Sequence, residues 1–240
     1  MSTVLLTGFE PFGREKVNPS WLAVRRLNGR TIRGRQIVAR CLPTVFGEAL
    51  ARLQGHLRKL NPVLVVCVGQ AAGRAEVCLE RVAINVDDSR IPDNAGWRPL
   101  DVPVVRDGPV AYWSTLPVKA IVRALRRRGI PAAVSESAGT FVCNHIFYGL
   151  MHELARDARQ ARGGFIHVPL LPEQAARRRG SKRADPSPSR RAGRPDLPGL
   201  PLETIVEALT VAVRESLLAE TRARFRRSSA AVTSRSRPRR

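Results

Sequence analysis

The sequence predicts an α/β protein: a single domain on an open, twisted, mainly parallel sheet with helices on both faces. Three observations carry this. Short apolar runs alternate with amphipathic segments of helical period along most of the chain, the pattern of strand–helix–strand units. Residues 63–68 (VLVVCV) form a continuous apolar run between Pro62 and Gly69, as a central strand buried on both faces requires. The 240 residues suffice for one full core, and no internal repeat divides them.

The elements follow in order. Residues 4–7 (VLLT) read as the first strand, followed by a loop to Asn18. Asn18 before Pro19 is a helix start, the Asn as N-cap and the Pro in the first turn. Residues 37–42 (IVARCL) are a second strand. Thr44 is placed to cap a helix reaching about residue 60, with Leu50, Leu53, Leu57 and Leu60 at helical spacing. Residues 63–68 come next, then a strand-like stretch at 77–85 (VCLERVAIN) with two charges inside it. Residues 87–96 are a loop by composition. Residues 117–128 are helical and stop at Gly129. An apolar run at 132–135 (AAVS) leads through Gly139 to a long amphipathic segment holding Cys143. Residues 164–168 (GFIHV) are a strand halted by Pro169. The last helix runs from residue 202 to about 222, with Ile205, Leu209, Val213 and Leu217 on one face.

The net charge of +21 invites a nucleic-acid reading, but it is unevenly placed. Residues 175–198 carry +6 and residues 221–240 carry +8, which leaves +7 for the rest. The stretch 176–200 is rich in Arg, Pro, Ser and Gly without apolar periodicity, and reads as a disordered basic insertion. The expected organisation is therefore a domain over 1–222 containing that insertion, then a disordered basic tail over 223–240. Any nucleic-acid binding through these appendages is expected to be weak, non-specific and salt-sensitive. No segment reaches membrane-spanning length, and no basic region precedes an apolar run at the N-terminus; a cytoplasmic protein is expected.

Chemistry is concentrated at Cys143. A strand, a tight turn and then a helix put this thiol near a helix start, where unpaired N–H groups and the positive dipole end favour a thiolate. Cys41, Cys67 and Cys78 lie in apolar strand-like runs and suit buried free thiols. No C-x-x-C pair occurs, so neither a zinc site nor a disulfide framework is indicated. A cysteine nucleophile needs a base, and the chain has four histidines. His145, two residues on, points to another face of the helix. His152, nine residues on, lies roughly 13 Å along the axis. His56 belongs to an earlier amphipathic helix and is expected to face solvent. His167 remains, at the C-terminal end of a strand, where open α/β sheets build their sites. A carboxylate should orient its ring. Glu80 is favoured because it interrupts an otherwise apolar strand. Asp87, Asp88 and Asp93 compete from the following loop.

Five motifs then occur in a telling order. Residues 5–13 (LLTGFEPFG) with Asn18-Pro19 are followed by 68–74 (VGQAAGR), by 80–85 (ERVAIN) with 90–94 (RIPDN), by 137–144 (SAGTFVCN) and by 167–174 (HVPLLPEQ). In this the chain resembles the pyroglutamyl peptidase I family, cysteine peptidases that remove an N-terminal pyroglutamyl residue. The likeness covers residues 3–174 and the last helix; the basic insertion and tail depart from it. The resemblance implies Cys143 as nucleophile, His167 as base and then acid, and Glu80 as the carboxylate holding His167. It implies an oxyanion hole from the backbone N–H groups of Cys143 and Arg90. It implies a lactam pocket from Phe9, Phe12, Thr44, Gln70, Ile91, Phe141 and Val142, with no metal and no cofactor. It also implies peptide substrates bearing N-terminal pyroglutamate and a homo-oligomer, dimer or tetramer. A nucleic-acid-binding or catalytically silent α/β protein is the alternative from a different class.

Overall fold

The computed structural model describes residues 2–13, 15–156, 161–183 and 199–235, with side chains placed for these except 178–183, 220 and 222–235. A seven-stranded sheet runs through the centre in the order β2-β3-β1-β4-β9-β5-β8. Its strands are β1 (Thr3–Phe9), β2 (Thr31–Ile32), β3 (Arg35–Leu42), β4 (Leu64–Gln70), β5 (Val77–Glu80), β8 (Ala132–Ser135) and β9 (Arg162–Val168). The block β3-β1-β4-β9 is parallel, β5 and β8 are parallel to each other, and β5 runs antiparallel to β9. The fold is thus the mixed, mainly parallel α/β architecture the alternation of elements implies.

The helices are α1 (Pro19–Arg26), α2 (Glu48–Leu60), α3 (Val118–Arg126), α4 (Val142–Arg156), α5 (Pro172–Arg183) and α6 (Leu202–Arg235). Side-chain alternation along the central strands assigns them to two faces. Val4, Leu6, Leu64, Val66 and Val68 pack with Val24 of α1, Ile121 of α3 and Ile205 of α6. Leu5, Phe9, Val65 and Cys67 pack with Leu53 of α2 and Ile146 of α4 on the other side. Each fully buried aliphatic side chain of this kind contributes roughly 1.5–3 kcal/mol. Asn18 caps α1 as its sequence implies, its Oδ1 accepting the Ser20 amide at 3.1 Å. Among the described residues no helix is long and apolar enough to cross a membrane.

Several boundaries differ from the sequence reading. Helix α2 starts at Glu48 rather than after Thr44. The Thr44 amide instead donates to Glu10 Oε1 (3.0 Å) and its hydroxyl to the Glu10 carbonyl (3.2 Å), so it closes a loop and does not cap. The stretch 77–85 breaks at Arg81 into β5 and β6 (Val82–Ile84), and β6 pairs with β7 (Ala111–Trp113) in a separate two-stranded sheet. The break comes where the strand must turn its one buried carboxylate, Glu80, toward the end of the large sheet. Helix α5 carries the chain to Arg183, so the basic stretch expected to lack structure from 176 is helical over its first part. Residues 184–198 of it lie outside the described residues. Helix α6 continues to Arg235 rather than ending near 222, through most of the stretch expected as a disordered tail. No Gly or Pro follows Pro201 until Pro238, and Ala, Leu, Glu and Arg fill much of the interval, so helix propensity meets no early stop. Residues 236–240 lie outside the described residues.

Candidate active site

The C-terminal ends of β1, β4 and β9 converge on one edge of the sheet, and α4 starts above them. On β9 the side chains of Phe165 and His167 share a face, being two residues apart. Glu80 lies directly across from Phe165 in the antiparallel β5–β9 pair, so its side chain leaves on that face too. It is the diagonal neighbour of His167 and reaches it: His167 Nδ1 meets Glu80 Oε1 at 2.8 Å. Glu80 is completely buried, and Arg74 Nη1 donates to the same oxygen at 3.0 Å. With a carboxylate at Nδ1, that nitrogen carries the proton and Nε2 is left for other work.

Cys143 is the second residue of α4. Gly139, at φ +80°, makes the turn that delivers the chain to this helix. The His145 amide donates to the Phe141 carbonyl (3.1 Å), so the Cys143 amide lies ahead of the helical hydrogen-bond ladder. The thiol sits over the strand floor at Gly69, the register partner of His167 on β4. A Cβ built on Gly69 would stand 2.8 Å from Cys143 Sγ and 2.8 Å from Phe165 Cζ. Glycine is what lets the thiol and the Phe165 ring share that floor. Gly69→Ala is expected to lower kcat about ten- to hundredfold by displacing the thiol, and to destabilise by about 1–3 kcal/mol through overpacking. Steady-state kinetics beside thermal unfolding check both; wild-type kcat in this variant would show that the floor tolerates a methyl group.

The electrostatics of the thiol run against the simple helix-start argument. Burial pushes Cys143 up to about 12, and Glu80 and Cys67 act in the same direction while Arg74 opposes them. Desolvation on this apolar floor disfavours a thiolate standing alone. Cys67, deeper on the same face, is likewise raised to about 12 by burial. Among the described residues no group of three His, Cys, Asp or Glu side chains is placed to hold a metal.

Cys143 and His167 line one cleft of about 330 Å³. Of the residues expected to form a lactam pocket, Phe9, Phe12, Thr44, Gln70, Phe141 and Val142 line it, and so does Arg90. Ile91 does not: it is 50% exposed, and its carbonyl accepts from Ser89 Oγ (2.9 Å) in a local turn. The competing carboxylates lie elsewhere. Asp87 meets His145 at 2.7 Å, and Asp88 is exposed, its backbone amide donating to the Thr140 carbonyl. Asp93 accepts the Phe46, Ala95 and Trp97 amides. The other histidines are also accounted for: His152 bonds Tyr112 Oη (3.0 Å), and His56 is half-buried rather than fully solvent-facing.

The model of the family described as pyroglutamyl peptidase matches residues 2–218. This chain belongs to the pyroglutamyl peptidase family. Pyrrolidone-carboxylate peptidase 1 of Ralstonia nicotianae is 54% identical over 217 residues, covering 90% of this chain and 94% of the relative. Pyrrolidone-carboxylate peptidase of Bacillus cytotoxicus is 57% identical over 176 residues, 73% of this chain and 82% of the relative. The crystal structure of Bacillus amyloliquefaciens pyroglutamyl peptidase I superposes with a TM-score of 0.80 at 47% identity, covering 90% of this chain and 97% of that one. A mutant pyrrolidone carboxyl peptidase from Pyrococcus furiosus gives 0.83 at 40% identity, covering 90% and 99%. The pyroglutamyl peptidase match ends before most of the basic C-terminal stretch.

Two polar residues of the cleft have no site role in the sequence reading. Asn18, expected as a helix cap, lines the cleft. Arg74 lines it too, while pairing with Glu80 and donating to the Ser137 carbonyl (3.1 Å). Its signal was available: Arg74 ends the 68–74 motif, six residues before the one carboxylate inside an apolar strand.

Proposed function

We propose that this chain hydrolyses the N-terminal pyroglutamyl residue from peptides, with Cys143 as nucleophile, His167 as base and then acid, and Glu80 holding the imidazole. The observation that carries the reading is the 2.8 Å contact of His167 Nδ1 with buried Glu80, which frees Nε2 in the cleft that Cys143 lines. The raised thiol defines the first step. Sγ–H passes its proton to His167 Nε2 as the sulfur bonds to the pyroglutamyl carbonyl carbon, so a free thiolate need not stand in the cleft beforehand. The carbonyl oxygen takes the negative charge, and the amides of Cys143 and Arg90 receive it. The carbon–nitrogen bond breaks, and the amine leaves with the proton from Nε2. Water then adds to the thioester with His167 as base, releasing pyroglutamate and restoring the thiol.

The substrate group is a neutral lactam, which suits a cleft with Phe9, Phe12 and Phe141 among its walls. Gln70 supports this: its buried Nε2 has no hydrogen-bond partner among the described residues and is available to the lactam carbonyl. The reading includes no metal or cofactor, and a homodimer or homotetramer. The direct test compares hydrolysis of a pyroglutamyl anilide with that of an unblocked aminoacyl anilide. Selective turnover of the former is expected; equal or absent turnover overturns the reading.

Glu80→Gln keeps the shape at Nδ1 but removes the charge that steadies an imidazolium. A kcat loss of about ten- to a thousandfold is expected, smaller than that on deleting His167. An unchanged kcat would make Glu80 a structural carboxylate serving Arg74 alone.

A further inference from the structure

Asn144 and His145 follow the nucleophile on α4, are both buried, and turn their side chains to other partners. Asn144 Oδ1 accepts the Ile84 amide (3.1 Å), and its Nδ2 donates to the carbonyls of Ile84 (2.9 Å) and Val86 (3.0 Å). One residue on, His145 Nδ1 meets Asp87 Oδ2 at 2.7 Å. Just before the helix, Thr140 closes the row: the Asp88 amide donates to its carbonyl (3.0 Å) and its hydroxyl donates to the Asp88 carbonyl (2.6 Å). Residues 84–88 are therefore stitched, almost position by position, to 140–145. Arg90 comes two residues beyond the last stitch and lines the cleft.

His145 also reaches a third strip of chain. The Gly47 amide donates to its Nε2 at 3.1 Å. An N–H donor at Nε2 fixes the tautomer, so Nδ1 carries the proton and donates a hydrogen bond to Asp87 Oδ2. Phe46 packs edge-on against both His145 (5.4 Å) and Phe141 (5.3 Å). One imidazole thus joins the three loops that bring Thr44, Arg90 and Phe141 to the cleft.

The chemistry of the pair argues for direction rather than stability. Asp87 is buried, and its Oδ1 has no hydrogen-bond partner among the described residues. A buried carboxylate left half-satisfied is a poor stabiliser, and an apolar pair of similar volume would serve a core as well. A ring with each nitrogen committed to a different loop, by contrast, permits only one spacing between those loops.

We propose that Asp87 and His145 form a positioning pair for acyl transfer, setting the Arg90 amide against the Cys143 amide across the cleft. The proposal rests on the peptidase reading of Cys143 and Arg90 given above. Neither member touches substrate; both act through the backbone they hold.

The test uses the full chain with Asp87→Ala and Asp87→Asn, since Asn keeps an oxygen to accept from His145 Nδ1. Three quantities are measured: kcat and KM on a pyroglutamyl anilide, the rate at which iodoacetamide alkylates Cys143, and the thermal midpoint. Alkylation needs the thiol and its base but no oxyanion donors, so it separates a misplaced Arg90 amide from a damaged thiol. Asp87→Ala is expected to lower kcat about ten- to hundredfold with KM and alkylation within about threefold of wild type. Asp87→Asn is expected to restore kcat to within about threefold. If Asp87→Ala does not fold, His145→Ala replaces it, removing the ring that joins Gly47 to Asp87, and the same pattern is expected. Wild-type kcat in the disrupting variant, equal losses in Asp87→Ala and Asp87→Asn, or alkylation falling in step with kcat each overturn the proposal. A wild-type enzyme without pyroglutamyl turnover would instead sink the functional reading itself.

Discussion

Cys143→Ala is expected to abolish pyroglutamyl hydrolysis, with a loss of about five to six orders of magnitude in kcat, because only binding and the oxyanion donors remain. The fold should survive, since a single sulfur is removed and the apolar contacts of α4 with β9 and α2 stay. A stability change within about 1 kcal/mol is expected. The companion measurement is labelling: one equivalent of a small alkylating agent should modify Cys143 first, with inactivation in proportion. Cys67 is fully buried, so it should lag. Inactivation that tracked Cys41, Cys67 or Cys78 while Cys143 stayed unmodified would move the nucleophile elsewhere.

The second large effect belongs to His167. His167→Ala should cost about three to four orders of magnitude in kcat, since in the proposed mechanism the same group takes the thiol proton and returns it to the leaving amine. The pH dependence is diagnostic. Without its base, the thiol keeps the value of about 12 that burial gives it. Its alkylation should then keep rising with pH beyond about 9, the range in which an ordinary thiol has already levelled off. In the wild type, proton transfer to His167 should give appreciable alkylation near neutrality. The same shift bears on stability: a thiol raised on folding contributes below its unfolded value, and the contribution is lost as pH climbs from about 9 toward 12. Near-normal turnover in His167→Ala, or identical alkylation profiles for the two proteins, would remove His167 from the mechanism.

The sequence was most legible where chemistry conflicted with its surroundings. A carboxylate inside an apolar strand and a histidine just before a strand-ending proline each stand out against a two-residue period. The structure brings those two together. What single-residue reasoning could not decide was which carboxylate would meet which imidazole. Glu80, Asp87, Asp88 and Asp93 fall within fourteen residues, and only the break between β5 and β6 separates them in space. Helical spacing rightly parted His145 from Cys143 but said nothing about its bond to Asp87, fifty-eight positions away. The burial of the thiol was hidden from the sequence for a related reason. A helix start is visible locally, whereas the desolvating floor of Gly69 and Phe165 is assembled from two other strands. Ile91 was placed in the pocket by its motif, yet the turn at Ser89 leaves it outside.

The position of β9 in the sheet has a consequence for the order in which the molecule comes alive. It is the last strand to be made, yet it wedges between β4 and β5, both made long before it. Until it enters, Gly69 and Glu80 border an empty slot, and neither has a histidine to face. On the proposed mechanism, a nascent chain that stops short of His167 carries its sulfur without the proton acceptor and does not turn over substrate. Such long-range, late insertion is also the slow kind of pairing. Recovered hydrolysis after denaturation consequently times the closing of the central sheet itself, and a collapsed chain with that slot unfilled would score as silent.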